Sequence, residues 1–132
     1  MIKLQKVEAG YGKGQILFGV SLKVDAGECV SLMGRNGMGK TTTVRVIMGQ
    51  LPITAGRISR FSDERLDRQS YEIARAGIGI VPEGRQIFSN LTVRENLQTF
   101  FQPSAFQSAS SWDFGRVLEL FPQLVERLDY AG

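Results

Sequence analysis

The stretch "GRNGMGKTTT" at residues 34–43 follows the apolar run "CVSLM" and precedes an amphipathic pattern. Gly34, Gly39, Lys40 and Thr41 satisfy the spacing G-x-x-x-x-G-K-[ST], in the strand-before, helix-after setting that gives the pattern meaning. The intervening Arg35, Asn36, Gly37 and Met38 complete the loop. Glycines are required there because the chain must turn tightly and bring its amides onto oxygen atoms with no Cβ in the way. The first turn of the following helix leaves unpaired N–H groups and a partial positive charge, which favours a polyphosphate. Lys40 is expected to reach the β and γ phosphates of a nucleotide. The Thr41 hydroxyl is expected to complete the shell of a Mg²⁺ that keeps most of its waters.

The remaining pattern is that of an α/β protein. "IKLQKVEA" alternates imperfectly, and Ile16, Phe18, Val20, Leu22 and Val24 recur with period two, so both segments read as strands joined by the Gly-rich turn "AGYGKG". "CVSLM" and "IGIVP" are short apolar runs typical of strands buried on both faces. Val44, Ile47, Met48 and Leu51 mark one helix face ahead of Pro52. "AGRISRF" predicts a further strand and "RQSYEIARAG" a helix ending at Gly77. "EGRQIFSN" reads as a loop. Thr92 and Glu95 form the Ser/Thr-x-x-Glu capping box of another helix. Trp112, Val117, Leu118, Leu120 and Phe121 give the apolar face of a last helix, broken near Pro122. The polar "QPSAFQSASS" connects these two helices across the surface.

Length and charge bound the rest. With 132 residues and a formal charge of +3, the chain fits one domain and shows neither a run of like charge nor basic-aromatic alternation. Its charge reads as solvated surface, so no nucleic-acid partner is expected. Cys29 is the single cysteine, expected to be a small buried residue in a reducing, cytosolic setting. No stretch has the ~18 apolar residues of a membrane span, so no direct membrane insertion is expected. Hydrolysis of a nucleotide needs a water-orienting carboxylate and a second acidic group for the metal. The only adjacent acids, Asp63 and Glu64, follow a segment too polar for the strand that such an aspartate terminates, and read as a surface turn.

Taken together, "AGYGKGQILFGVSLKVDAGECVSLMGRNGMGKTT", "AGRISRF", "ARAGIGIVPEGRQIFSNLTVRENL" and "LFPQLVERLDYAG" resemble the ATP-binding subunits of ABC transporters, and among them the subgroup serving branched-chain amino acid uptake. The resemblance covers essentially the whole chain. The phosphate loop is shared by many NTPases; "GIGIVPEGRQIFSNLTVREN" is far more specific. It implies a P-loop NTPase core of the ABC ATPase type with N-terminal antiparallel strands and the start of a helical subdomain, truncated, with residues 1–89 forming the core portion and 90–132 the subdomain. It implies ATP and Mg²⁺ as ligands. Tyr11 falls where the family stacks a ring on adenine, and Thr42 where it touches the α phosphate. Met38 stands where alanine or serine is commonest. Glu83 occupies the Q-loop position, a glutamate that is itself a feature of the subgroup, and is a second candidate for the metal beside Thr41.

The same resemblance makes Arg85 to Asn90 the wall of a groove for a permease's coupling helix, with the 83–92 region as the contact. Ile87 and Phe88 either offer apolar contact there or pack the helical subdomain. A second ATP-binding subunit would complete the ATP sites, and the assembly would sit in the cytoplasm on the inner face of the membrane. The signature, the Walker B strand and the switch histidine are absent, so the chain resembles the first half of the domain and is expected to be marginally stable and inactive in steady ATP turnover alone. A non-catalytic nucleotide-binding fragment, a soluble ABC ATPase of DNA repair or translation, and importers of urea or other amides stay open as alternatives.

Overall fold

The computed structural model describes residues 1–60, 69–84, 86–99, 101 and 112–132, in two compact units, Met1–Ile80 and Val81–Gly132. Asp63, Glu64, Arg85 and the whole of the expected connection "QPSAFQSASS" lie outside the described residues.

The first unit is built on a hairpin. Strand β1 (Ile2–Tyr11) pairs antiparallel with β2 (Gly14–Val24), from Ile2 opposite Val24 to Tyr11 opposite Gly14. The turn between them is the expected Gly-rich one, with Gly12 at φ 57. Strand β3 (Ala55–Arg60) adds to the free edge of β1, also antiparallel, giving the order β2-β1-β3. Leu4, Val7, Ala9, Leu17 and Ile58 point to one face of this sheet and form the core together with Val46 of helix α1 (Lys40–Ile47). Buried and exposed positions alternate along these strands except where the register shifts, between Leu4 and Val7 on β1 and at Gly19 on β2.

Two expectations about faces are corrected. Phe18 is 74% exposed, while its neighbour Leu17 is buried. A bulge with Gly19 at φ 71 resets the alternation of β2, and such an inserted residue sends the following side chains to the other face. On α1, Val44 is exposed, and the buried residues are Thr42, Thr43 and Val46. Two of these are threonines, which an apolar periodicity does not register.

The expected buried strands "CVSLM" and "IGIVP" are corrected too. Neither forms a strand, Cys29 is exposed, and Met33 and Val81 are 88% and 97% exposed. An apolar run becomes a strand only where another strand satisfies its amides and carbonyls. Among the described residues, the sheet contains β1, β2 and β3 alone, and none of them pairs with either run. After residues 55–60 the first unit ends with α2 (Ser70–Arg75), which buries Ile73 and is followed by Gly77 at φ 96, as the sequence predicts.

In the second unit, α3 (Val93–Thr99) starts with the predicted capping box: Thr92 N–H donates to Glu95 Oε2 at 2.8 Å, and Glu95 N–H donates to Thr92 Oγ1 at 3.2 Å. Helix α4 (Phe114–Leu120) is capped by Asp113, whose Oδ1 accepts from Arg116 N–H at 2.8 Å, and passes into a 3₁₀ turn at Pro122–Arg127. The expected apolar face of this helix is not buried: Trp112, Leu120 and Phe121 are exposed. The last residues return to α3, where Val93 N–H donates to Tyr130 O at 3.0 Å and Gly132 N–H to Leu91 O at 2.9 Å.

Candidate nucleotide site

The loop between "CVSLM" and α1 has the backbone its glycines predict. Gly37 and Gly39 stand at φ 83 and 87, in the left-handed region. Gly39 is also confined by packing: a Cβ there would lie 2.7 Å from Leu17 Cδ2. The sheet core thereby fixes where the loop enters the helix. Thr43 N–H donates to Gly39 O at 2.8 Å and Thr43 Oγ1 to the same oxygen at 2.9 Å, closing the first turn. The preceding amides of Lys40, Thr41 and Thr42 have no carbonyl one turn earlier in the helix to accept them.

Lys40 folds back over this loop. Its ammonium donates to Gly34 O at 2.6 Å and to Arg35 O at 2.8 Å. Both partners are neutral carbonyl oxygens, and no acidic residue stands in the first turn of α1. Among the described residues no carboxylate pairs with this ammonium, so the site concentrates positive charge. That donor set fits a polyphosphate, whose oxygens are stronger acceptors than carbonyls. Thr41, Asn36 and Met38 are exposed at the loop, while Thr42 is buried under it.

Tyr11 belongs to the same neighbourhood. Its hydroxyl accepts from Arg45 Nη1 at 2.9 Å, and the guanidinium lies 5.8 Å from its ring centroid. Arg45, with a smaller contribution from the Thr42 hydroxyl, holds the Tyr11 phenol below its ordinary pKa. The ring at the end of β1 is thus tethered to the helix that carries the phosphate loop. Sequence reasoning missed Arg45, although its place one helical turn after Thr41 was a usable signal.

The structure gathers Tyr11 and residues 34–42 within the first unit. Glu83 belongs to the second unit, exposed in the loop ahead of α3 beside Gly84 at φ 88. Among the described residues no three His, Cys, Asp or Glu side chains cluster as a metal cage. Ile87 and Phe88 are 60% and 48% exposed, so the subdomain covers neither completely. Their loop is clamped by Asn96, which accepts from Phe88 N–H and donates to Phe88 O, each at 2.9 Å. Asn96 is a second residue the sequence did not single out.

Residues 17–129 match the ABC transporter family. The chain belongs to that family. Among curated relatives of this ABC chain, the high-affinity branched-chain amino acid transport ATP-binding protein BraG of Pseudomonas aeruginosa is 40% identical over 132 residues, covering 98% of this chain and 55% of its own length. The Nod factor export ATP-binding protein I of Paraburkholderia xenovorans is 41% identical over 99 residues, covering 75% of this chain and 32% of its own length. The chain thus spans about half the length of the first relative and a third of the second. Among solved structures, an ATP-binding subunit of an ABC transporter superposes with a TM-score of 0.77 at 28% identity, over 99% of this chain and 54% of that one. A dimeric ATP-binding cassette bound to ADP and Pi gives a TM-score of 0.75 at 24% identity, over 99% and 61%, and shares the fold. The fold is therefore that of part of an ABC ATPase cassette, with the expected N-terminal antiparallel strands. No helix among the described residues is long and apolar enough to cross a membrane.

Proposed function

We propose that this chain is the nucleotide-binding portion of an ATP-binding subunit that drives an ABC importer for branched-chain amino acids. The observation that carries the ATP-binding reading is the Lys40 ammonium held on the Gly34 and Arg35 carbonyls, where phosphate oxygens can replace both acceptors. The cargo reading rests on the BraG relative, whose identity extends over 98% of the chain.

In this reading Lys40 moves from the loop carbonyls to the β and γ phosphates, and the amides of residues 37–42 surround them. Thr42 lies under the α phosphate. Tyr11 stacks on adenine while Arg45 holds its hydroxyl. The Thr41 hydroxyl would hold Mg²⁺, which would supply positive charge against the phosphates. Turnover needs a carboxylate that orients water, and the sequence has no histidine to serve as the family's switch. These 132 residues are expected to bind ATP without turning it over. A second ATP-binding subunit and a permease contacting the 83–92 region complete the transporter, at the cytoplasmic face of the membrane. The exposure of Ile87 and Phe88 supports that contact.

The Nod factor export relatives favour a second reading, an exporter's ATP-binding subunit. Deletion of the gene in its native cell, followed by uptake of radiolabelled leucine, separates the two. Uptake lost on deletion and restored by the wild-type gene, but not by a Lys40→Ala version, supports the importer. Unchanged uptake rejects it.

A further inference from the structure

The face of the sheet opposite α1 carries a second concentration of positive charge. Leu4 and Val7 of β1 enter the core, so Lys3 and Gln5 project from the other side. The register sets Lys3 directly opposite Lys23 of β2 and opposite Ser59 of β3, and sets Gln5 opposite Arg57. Arg57 is therefore a diagonal neighbour of Lys3 on the same face, about 7–8 Å away. Like charges directly opposite one another weaken a strand pair, so the Lys3 and Lys23 arrangement works against the fold.

Lys6 adds a fourth cation by an unusual route. It adopts φ 47, and no other residue except glycine has a positive φ among the described residues. Its N–H donates to Ser21 Oγ at 3.0 Å, where the β1–β2 register shifts. On the other side Gly56 makes room for the bulge, since a Cβ there would lie 2.3 Å from Lys6 O. Both neighbouring strands are thus shaped around a left-handed lysine, a conformation that disfavours any residue with a Cβ. Bulges of this kind re-aim a side chain.

The result is a groove of about 770 Å³ lined by Lys3, Lys6, Lys23 and Arg57, with Ser21 and Gln5 between them and no acid in its wall among the described residues. Lys23 is paired with Asp25 at 2.6 Å outside that wall. Lys3, Lys6 and Arg57 have no acidic partner among the described residues. We propose that this groove binds a phosphate-bearing anion, separately from the nucleotide loop. The Arg57 fork suits paired phosphate oxygens, and the lysines supply point charges on either side. The phosphate could belong to a dissolved phosphorylated molecule or to a lipid headgroup; the chemistry recognised is the same.

The test uses the whole chain carrying Lys40→Ala, which silences the nucleotide loop, with inorganic pyrophosphate as the probe and backbone amide NMR shifts as the readout. Saturable shifts are expected at Lys3, Lys6 and Arg57. The pair Lys3→Gln and Arg57→Gln should weaken binding roughly tenfold, whereas the charge-matched pair Lys13→Gln and Arg75→Gln, outside the groove, should change it by less than about twofold. Lys6→Gly relieves the backbone strain, so it should raise the melting temperature while weakening the anion. Co-sedimentation with phosphatidylcholine vesicles containing phosphatidic acid reads the lipid source: capture that needs Lys3 and Arg57, without pyrophosphate shifts, assigns the groove to headgroups. Absence of both pyrophosphate shifts and vesicle capture overturns the proposal, as does equal weakening by both pairs. Unchanged affinity in Lys6→Gly removes Lys6 from the site and overturns the role assigned to the bulge.

Discussion

Arg60 Nη2 donates to the carbonyl oxygen of Val46 at 2.8 Å, and its Nε donates to Ile47 O at 2.7 Å, so the end of β3 caps the last turn of the helix that bears the phosphate loop. Arg60 is 4% exposed, an unusual depth for a charged residue. Helix C-termini carry partial negative charge and carbonyls without intrahelical partners, and the guanidinium donates to two of them, the Val46 oxygen also accepting from Gly49 N–H at 3.1 Å. Arg60→Met should lower the unfolding free energy by about 1–3 kcal/mol in urea titrations, and Arg60→Lys should recover less than half, since an ammonium lacks the planar fork. Equal stability of wild type and Arg60→Met would show that the cap contributes nothing.

Gly39 is expected to tolerate no side chain. Gly39→Ala meets both φ 87 and the Leu17 contact at 2.7 Å, and should destabilise the first unit by roughly 1–3 kcal/mol. Gly12→Ala is the comparison: its φ is 57, but a Cβ there meets nothing within 4 Å. Denaturation midpoints of the two variants should therefore differ clearly, with Gly39→Ala the lower.

Tyr11 and Arg45 make a separable pair. If the Tyr11 ring is the adenine platform, Tyr11→Phe keeps the stacking surface and should alter ATP affinity by no more than about threefold, whereas Tyr11→Leu should lose about 1 kcal/mol of binding. The Tyr11 phenolate band in ultraviolet titration should appear below the ordinary tyrosine range and move back up in Arg45→Leu, because Arg45 is the first cause of the shift. A phenol titration unmoved by that substitution would remove the tether.

The capping box at α3 gives a pH dependence of known sign. The Thr92 N–H, then its hydroxyl, holds the Glu95 carboxyl below its ordinary pKa of 4.5. A depressed folded value means the stabilisation is present above the unfolded pKa and is lost as pH falls through the folded one. Amide exchange protection in α3 should therefore be full above the ordinary glutamate value of 4.5 and weaken as the pH falls below it through the depressed folded value. Thr92→Ala should accelerate exchange about fivefold at neutral pH and flatten that dependence.

The hairpin, β3, the helix after the phosphate loop and the Thr92–Glu95 cap were legible because each is decided by neighbours in sequence. Period-two apolarity, a G-x-x-x-x-G-K-[ST] loop and a Ser/Thr-x-x-Glu spacing are local signals. The expectations for residues 29–33 and 78–82 failed for the opposite reason: a strand is made by its partner, and these runs have none among the described residues. Arg45, Arg60 and Asn96 escaped notice because each acts across 8 to 34 positions of sequence, a relation the fold alone creates. Phe18 failed on one residue, the bulge at Gly19, which no alternation pattern announces.

Equilibrium binding of Mg-ATP to the chain and to Lys40→Ala tests the central claim most directly, with matched far-UV spectra to show that both are equally folded. The account predicts saturable binding by the wild-type chain and a loss of about a hundredfold or more in the variant, since the ammonium is the loop's only side-chain cation aimed at its own carbonyls. Equal affinity in the two proteins would contradict it.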